Sequence, residues 1–291
     1  MDFKAIALGL TFAVMWSSAF ASARIILLDA PPLWSLALRF LISGGLAVMV
    51  ARFLGQDWRL PRPQARAVMI FGLCQNALYL GLFFIALQHI EASLASIIAS
   101  SMPLIVAGLG WALRGERLSS LGFAGMFAGF FGVALIMGSR IEAGADPLSV
   151  ALCVIGATAL AVATLTVRGA SAGGNLLMVV GLQMLVGSVA LALVAAAMEP
   201  LHVNVTLRLA VAFTYQILVP GLTATLIWFS LVGRIGAVKA SAFHFLNPFF
   251  GVLIASALLG EEISRLDMLG VAVATAGILA VQMARMDRAT R

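Results

Sequence analysis

Residues 99–116 read ASSMPLIVAGLGWALRGE, and residues 244–261 read HFLNPFFGVLIASALLGE. Laid on each other at an offset of 145, each carries a proline followed 13 residues later by a glutamate: Pro103/Glu116 and Pro248/Glu261. The overlay continues without a gap from residues 83–136 onto 228–281. It places Ile90, Ala95, Ser96, Gly115, Leu121, Gly125 and Gly132 on Ile235, Ala240, Ser241, Gly260, Leu266, Gly270 and Gly277. Further upstream, at offset 144, Arg24 meets Arg168 and the run 38–41 meets 182–185, with Arg39 on Gln183. Identity is cheap in apolar sequence, but prolines and spaced glycines are not interchangeable filler. An offset of half of 291 residues means that the chain is one unit written twice.

The material between those landmarks is membrane-like. The chain is 62% hydrophobic and 10% charged, with a mean hydropathy of +1.08. Soluble domains run about 45–50% apolar and about 25% charged, so neither a soluble domain nor a disordered chain fits. Apolar runs between charge and turn clusters predict ten helical spans, at 5–28, 33–51, 67–88, 93–113, 119–138, 148–167, 174–197, 209–231, 239–259 and 267–284. Breaks such as Pro31-Pro32, Gly144-Ala145-Asp146-Pro147, Gly173-Gly174 and Glu199-Pro200 separate them. These lengths suit helices rather than barrel strands of about 9–11 residues. The N-terminal run imitates a secretory signal, but it is longer than a signal core and the repeat needs it as its first member. It is therefore expected to remain as the first span.

Charge sets the expected orientation. With ten spans, thirteen of the eighteen Lys and Arg fall on the face shared by both termini, and only Arg24, Arg140, Arg208 and Arg265 fall on the other; Arg39 lies within a span. The positive-inside rule places the thirteen, and both termini, in the cytoplasm of a bacterial-type inner membrane. The net charge of +6 is thereby an orientation signal, and no nucleic-acid partner is expected. Cys74 and Cys153 both lie in apolar segments and read as small buried hydrophobes.

Five spans per half is an odd number, so residues 144–291 enter the membrane upside down relative to residues 1–143. Inverted repeats of this kind are the architecture of many secondary transporters, because exchanging the conformations of the halves exchanges inward and outward access. The expected fold is an all-α integral membrane protein, with ten transmembrane helices in two inverted five-helix repeats around a central cavity.

Ten helices, a 5+5 inverted repeat and the matched Pro103/Glu116 and Pro248/Glu261 resemble the drug/metabolite transporter superfamily, specifically its EamA-type repeats. Within it the chain is similar to the aromatic amino-acid exporters of the YddG type. The resemblance implies a basket of helices around a cavity lined mostly by spans 1, 3, 4, 6, 8 and 9, with spans 5 and 10 peripheral. It also implies export of aromatic and some other apolar amino acids. A different metabolite or drug of the same superfamily is the alternative cargo, and a membrane enzyme or scaffold the more remote one.

Candidate substrate contacts are the polar and aromatic residues that are costly against lipid. Phe12, Trp16 and Phe20 share a face of span 1, with Ser17 beside the tryptophan. Asn76, Tyr79 and Phe83 share a face of span 3. An amide can serve both ends of an amino acid, or it can be interhelical glue. Ser100 and Ser101 precede Pro103, and His244 and Asn247 precede Pro248. Each proline denies a donor to the carbonyl four residues earlier, which suits either a midplane site or a kink that only shapes packing. Trp228 stands in span 8, together with Tyr215 and Gln216. His244, the one histidine inside a span, reads first as a packing residue, then as a substrate contact and last as a proton carrier. Arg39 could snorkel, pair with a helix C-terminus or attract a substrate carboxylate. Threonines of spans 6 and 8 are expected to bond their own backbone. Glu116 and Glu261 are expected to cap helices, and the four spaced glycines to pack helices together.

No carboxylate lies in the interior of a span, which disfavours organic dications as cargo and removes the usual acidic proton carrier. There is no Walker sequence, no HExxH and no Ser-His-Asp set, so no enzyme activity, cofactor or metal is expected. The expected partners are a small-molecule substrate and membrane lipid, and a monomer suffices for this reading.

Overall fold

Ten helices form from the ten apolar runs in the computed structural model, which describes residues 3–114, 119–166, 175–235, 240 and 242–289. They are α1 (Phe3–Ile26), α2 (Pro32–Phe53), α3 (Arg62–Ala86), α4 (Ala92–Ser100, then Met102–Arg114) and α5 (Ser120–Glu142). The second half supplies α6 (Pro147–Thr166), α7 (Leu176–Met198), α8 (Leu207–Gln216, Ile217–Thr223 and Ala224–Ile235), α9 (Ala242–Leu246, then Asn247–Leu259) and α10 (Arg265–Ala289). Among the described residues eight helices are long and apolar enough to cross a membrane, and Asn247–Leu259 is a shorter apolar helix. Gly115, Glu116, Arg117, Arg168, Gly173, Gly174, Lys239, Ser241 and Arg291 lie outside the described residues.

Several ends differ from expectation by a few residues, two of them for local reasons. Helix α3 starts at Arg62, because Pro63 sits in the first turn where its missing N–H is no loss. Helix α5 runs on to Glu142, carrying Arg140 to partners that an earlier end would deny it.

Tight interhelical seams join the halves. Antiparallel α5 and α10 meet through glycine: a Cβ on Gly125 would lie 2.8 Å from the Gly277 carbonyl, and one on Gly132 would lie 2.8 Å from the Gly270 carbonyl. Because Gly125 corresponds to Gly270 and Gly132 to Gly277, each glycine faces the copy of the other. That crosswise pairing is the mark of a two-fold relation between the halves. Helices α2 and α7 repeat the pattern. Gly44 approaches Gly181, and Ser188, the counterpart of Gly44, donates 2.7 Å to the carbonyl of Ala37, the counterpart of Gly181.

The same relation governs helix breaks. Helices α3 and α8 each widen into a π-helical stretch, at Gly72–Tyr79 and Ile217–Thr223, whose first residues are 145 apart. Helix α4 breaks at Ser101, and α9 begins as a 3-10 turn ending at Leu246, again 145 apart. Pro103 and Pro248 therefore each open a fresh helical segment, rather than bending a continuous one.

The connections α1–α2, α3–α4, α5–α6, α7–α8 and α9–α10 share one face and are tied together there. The Glu199 carboxylate accepts from the N–H groups of Leu33 and Trp34 at the start of α2, at 2.9–3.3 Å. The Glu261 carboxylate accepts from Ala92 and Ser93 at the start of α4, at 2.7 and 2.9 Å. Both place negative charge at the positive end of a helix. Gly260, left-handed at φ +69°, ends α9 and turns the chain so that Glu261 can reach α4. Arg140 binds Asp267 at 2.7 Å and also Glu91, and Arg208 binds Asp29 at 3.0 Å. On the opposite face the Gln56 side chain caps α7 at Met178, the counterpart of Trp34.

Candidate functional site

Helix α1 runs between the halves and packs on α4, α8 and α9. Its face bearing Phe12, Trp16 and Phe20 joins two groups of the predicted residues.

The first group surrounds His244. The imidazole stands edge-on to Phe12 and Trp16, at 5.3 and 6.4 Å between ring centroids, and 5.0 Å from Trp228, itself 4.9 Å from Phe12. Nδ1 of His244 and Nδ2 of Asn247 are 3.0 Å apart, so Asn247 donates to the imidazole. The Asn247 carbonyl accepts from Ser17 at 3.3 Å and from Ser96 at 3.5 Å, tying α9 to α1 and α4, while its Oδ1 is buried without a partner. Gly251 permits this approach, since a Cβ there would collide with the Ser96 hydroxyl.

The second group lines a small cavity of about 40 Å³ between α1, α2, α3 and α8, with Trp16, Phe20, Arg39, Tyr79, Phe83, Gln216 and Pro220 among its walls. Trp16 is common to both groups. Tyr79 and Phe83 lie edge to face at 4.7 Å, and Phe20 stands 6.0 Å from Phe83. Ligand pockets measure about 300–1,000 Å³, whereas a single water needs about 10–15 Å³. This conformation is therefore closed around the site. Leu87 lines the buried cavity, and its neighbour Gln88 lines an open depression of about 390 Å³ on the face of Asp29, Glu199 and Asn204.

The unpaired polar groups of this cavity come from α2 and α8. Arg39 is 6% exposed, and its Nε has no hydrogen-bond partner. Gln216 donates through Nε2 to the Ala19 carbonyl at 2.6 Å and to Ser22 at 2.9 Å, leaving Oε1 buried and unpaired. Pro220 lacks the N–H that an α-helix would give the Gln216 carbonyl, and the π-helical stretch accommodates that gap.

Other predicted residues spend their polar groups on the protein. Asn76 donates 2.9 Å to the Gln183 carbonyl of α7, across Gly187. Ser100 returns to the Ser96 carbonyl and Ser101 to that of Ile98, at 2.6 and 2.7 Å. Thr158, Thr164 and Thr225 each bond the carbonyl four residues back, as expected. Phe20 was legible in the sequence through the face it shares with Phe12 and Trp16, whereas Gln216 was named only as a polar member of span 8, with nothing to aim it at the cavity. Helix α2, absent from the cavity-lining spans that the family resemblance implies, contributes the one full charge among the described residues that line the cavity. Among the described residues no three His, Cys, Asp or Glu stand where they could hold a metal ion.

Ten helices in two inverted halves, closed around a buried aromatic and polar cavity, make up the build of a membrane transporter. The chain belongs to the EamA-like transporter family, whose model matches residues 3–138 and again 147–283. It is 26% identical over 253 residues to the uncharacterized transporter YvbV of Bacillus subtilis, covering 86% of this chain and 82% of that one. It is 25% identical over 281 residues to the uncharacterized inner membrane transporter YedA of Escherichia coli, covering 94% and 88%. A solved crystal structure superposes with a TM-score of 0.71 at 22% identity, over 98% of this chain and 99% of that one, and so shares the fold.

Proposed function

We propose that this transporter works by alternating access between residues 1–143 and 144–291, exporting small amphiphiles with an apolar body, aromatic and other apolar amino acids above all. The observation that carries this reading is the cavity itself, lined by Trp16, Phe20, Tyr79 and Phe83 together with Arg39 and Gln216, each of which keeps a buried polar atom without a hydrogen-bond partner. Rings offer a large apolar surface to a ring, and the guanidinium and amide offer a donor and an acceptor to the polar end. The thirteen-to-four distribution of Lys and Arg supports termini in the cytoplasm, and the name of the Escherichia coli relative supports an inner membrane. The depression at Asp29 and Glu199 is then the periplasmic vestibule, shut from the cavity at Leu87.

Purified protein in liposomes tests the reading. Labelled Phe or Trp should equilibrate across the bilayer faster than in empty liposomes, and unlabelled Phe should compete. Flux equal to that of empty liposomes, with helical content verified, would overturn amino-acid export.

A further inference from the structure

Among the described residues that line the cavity one carries a full charge, Arg39, whose guanidinium carbon lies 5.2 Å from the centroid of the Phe40 ring and has no carboxylate beside it. Arg39 is the eighth residue of α2, about 10 Å along the helix axis from its first residue at about 1.5 Å per residue. Its guanidinium lies in no ion pair among the described residues. The carboxylates nearest that end of the bundle are engaged elsewhere: Asp29 with Arg208, Asp267 and Glu91 with Arg140, Glu199 with the start of α2, and Glu261 with the start of α4. Nε of Arg39 is buried with no partner, and Oε1 of Gln216, on the same cavity, is a buried acceptor with none. The repeat does not require the charge, since the counterpart of Arg39 is Gln183. An unpaired charge held inside a membrane marks a site where a counter-charge arrives from outside.

We infer that the cavity recognises an aromatic monocarboxylate by its net negative charge, with Arg39 taking the carboxylate and Gln216 Oε1 accepting from a hydroxyl or ammonium on the adjacent carbon. This deepens the transport reading above and rests on the cavity being the transport site. Charge balance then ranks the cargo. A monoanion such as an aromatic 2-hydroxy acid neutralises Arg39 and still gives Gln216 its donor. A zwitterionic amino acid also satisfies both atoms, but its ammonium leaves one positive charge in the closed cavity, where no carboxylate receives it. An aromatic amine without a carboxylate adds charge to charge. The expected order of affinity is 2-hydroxy acid, then amino acid, then amine.

The test compares 3-phenyllactate, phenylalanine and phenethylamine as ligands of the detergent-purified full chain, by thermal shift and by quenching of tryptophan emission. Phenyllactate should bind tightest and phenethylamine should not bind. R39Q should weaken phenyllactate binding by at least about tenfold, while R39K retains more of it, because a guanidinium holds both carboxylate oxygens and an ammonium acts as a point charge. Phenethylamine binding as tightly as phenyllactate in the unmodified protein would overturn the inference without any variant. So would R39Q binding phenyllactate like the unmodified protein. Should R39Q fail to fold, a potassium diffusion potential decides: phenyllactate flux in liposomes should follow its sign, and indifference to it would overturn the proposal. Phenyllactate binding through Arg39 with no phenylalanine flux would sink amino-acid export and leave this inference standing. Phenylalanine flux indifferent to Arg39 would do the reverse.

Discussion

Replacing Gly277 with alanine should loosen the whole molecule, because that glycine lies where α5 and α10 nearly touch. A Cβ there would lie 2.5 Å from the Gly129 Cα and 2.6 Å from the Gly125 carbonyl oxygen. Favourable carbon contacts need about 3.5–4.0 Å, so the helices must part by about 1 Å at that level. Both obstacles are backbone and cannot rotate aside. Overpacking of this kind costs about 1–3 kcal/mol. Gly138, in α5, provides the control, since its Cβ would meet nothing within 4 Å. Alanine gains about 0.5–1 kcal/mol over glycine inside any helix, and that gain is common to both variants. The difference between G277A and G138A thus isolates the packing, and G277A should be the less stable by about 1–3 kcal/mol. Loss of helical circular dichroism during titration with a denaturing detergent measures it. Equal stability of the two variants would refute a close seam.

Three further outcomes follow from named contacts. E261Q removes the charge that accepts from Ala92 and Ser93, and should cost about 0.5–2 kcal/mol in the same titration; no change would mean that α4 needs no such cap. Hydrogen bonds from Arg208 and Thr206 hold the Asp29 carboxyl below its ordinary range. Its stabilisation is therefore present above the unfolded value of about 3.9 and lost as pH falls through the lower folded value. D29N should flatten the acid limb of the stability profile below about pH 4, and an unchanged limb would count against the Asp29–Arg208 clamp. N76A should lower stability by about 0.6–2 kcal/mol through the lost bond to Gln183, while leaving ligand affinity intact; Y79A should weaken affinity. The opposite split would move Asn76 into the binding site.

Much of this fold could be read from residue types alone. Spans follow from composition, because a bilayer requires long apolar helices. The glycines that the repeat aligns turned out to face one another, because only a residue without a side chain allows backbones so close. Pro220 signalled the irregular stretch of α8. Its partner stretch at Gly72–Tyr79 contains no proline and left no mark, since its hydrogen-bond register is set by packing against α6 and α7. The site was harder to read for a related reason. In helices apolar all round, periodicity does not say which side faces inward. Nothing local therefore aimed Arg39 at Tyr79 and Gln216, or sent the Asn76 amide to α7 instead of the cavity. Polar residues in a membrane helix are conspicuous, but the neighbouring helix decides what they touch.

The crosswise glycine seam also governs the order of assembly. Helix α5 presents Gly125 and Gly132 to a surface that does not exist until α10, the last helix, has been inserted. Helix α2 likewise waits for α7. During synthesis the first half therefore stays in lipid with these glycine faces unfilled until their partners in the second half arrive. Two separately expressed halves carry mutually matching faces and should find each other in one membrane. A chain ending before α10 leaves α5 with a groove that nothing closes.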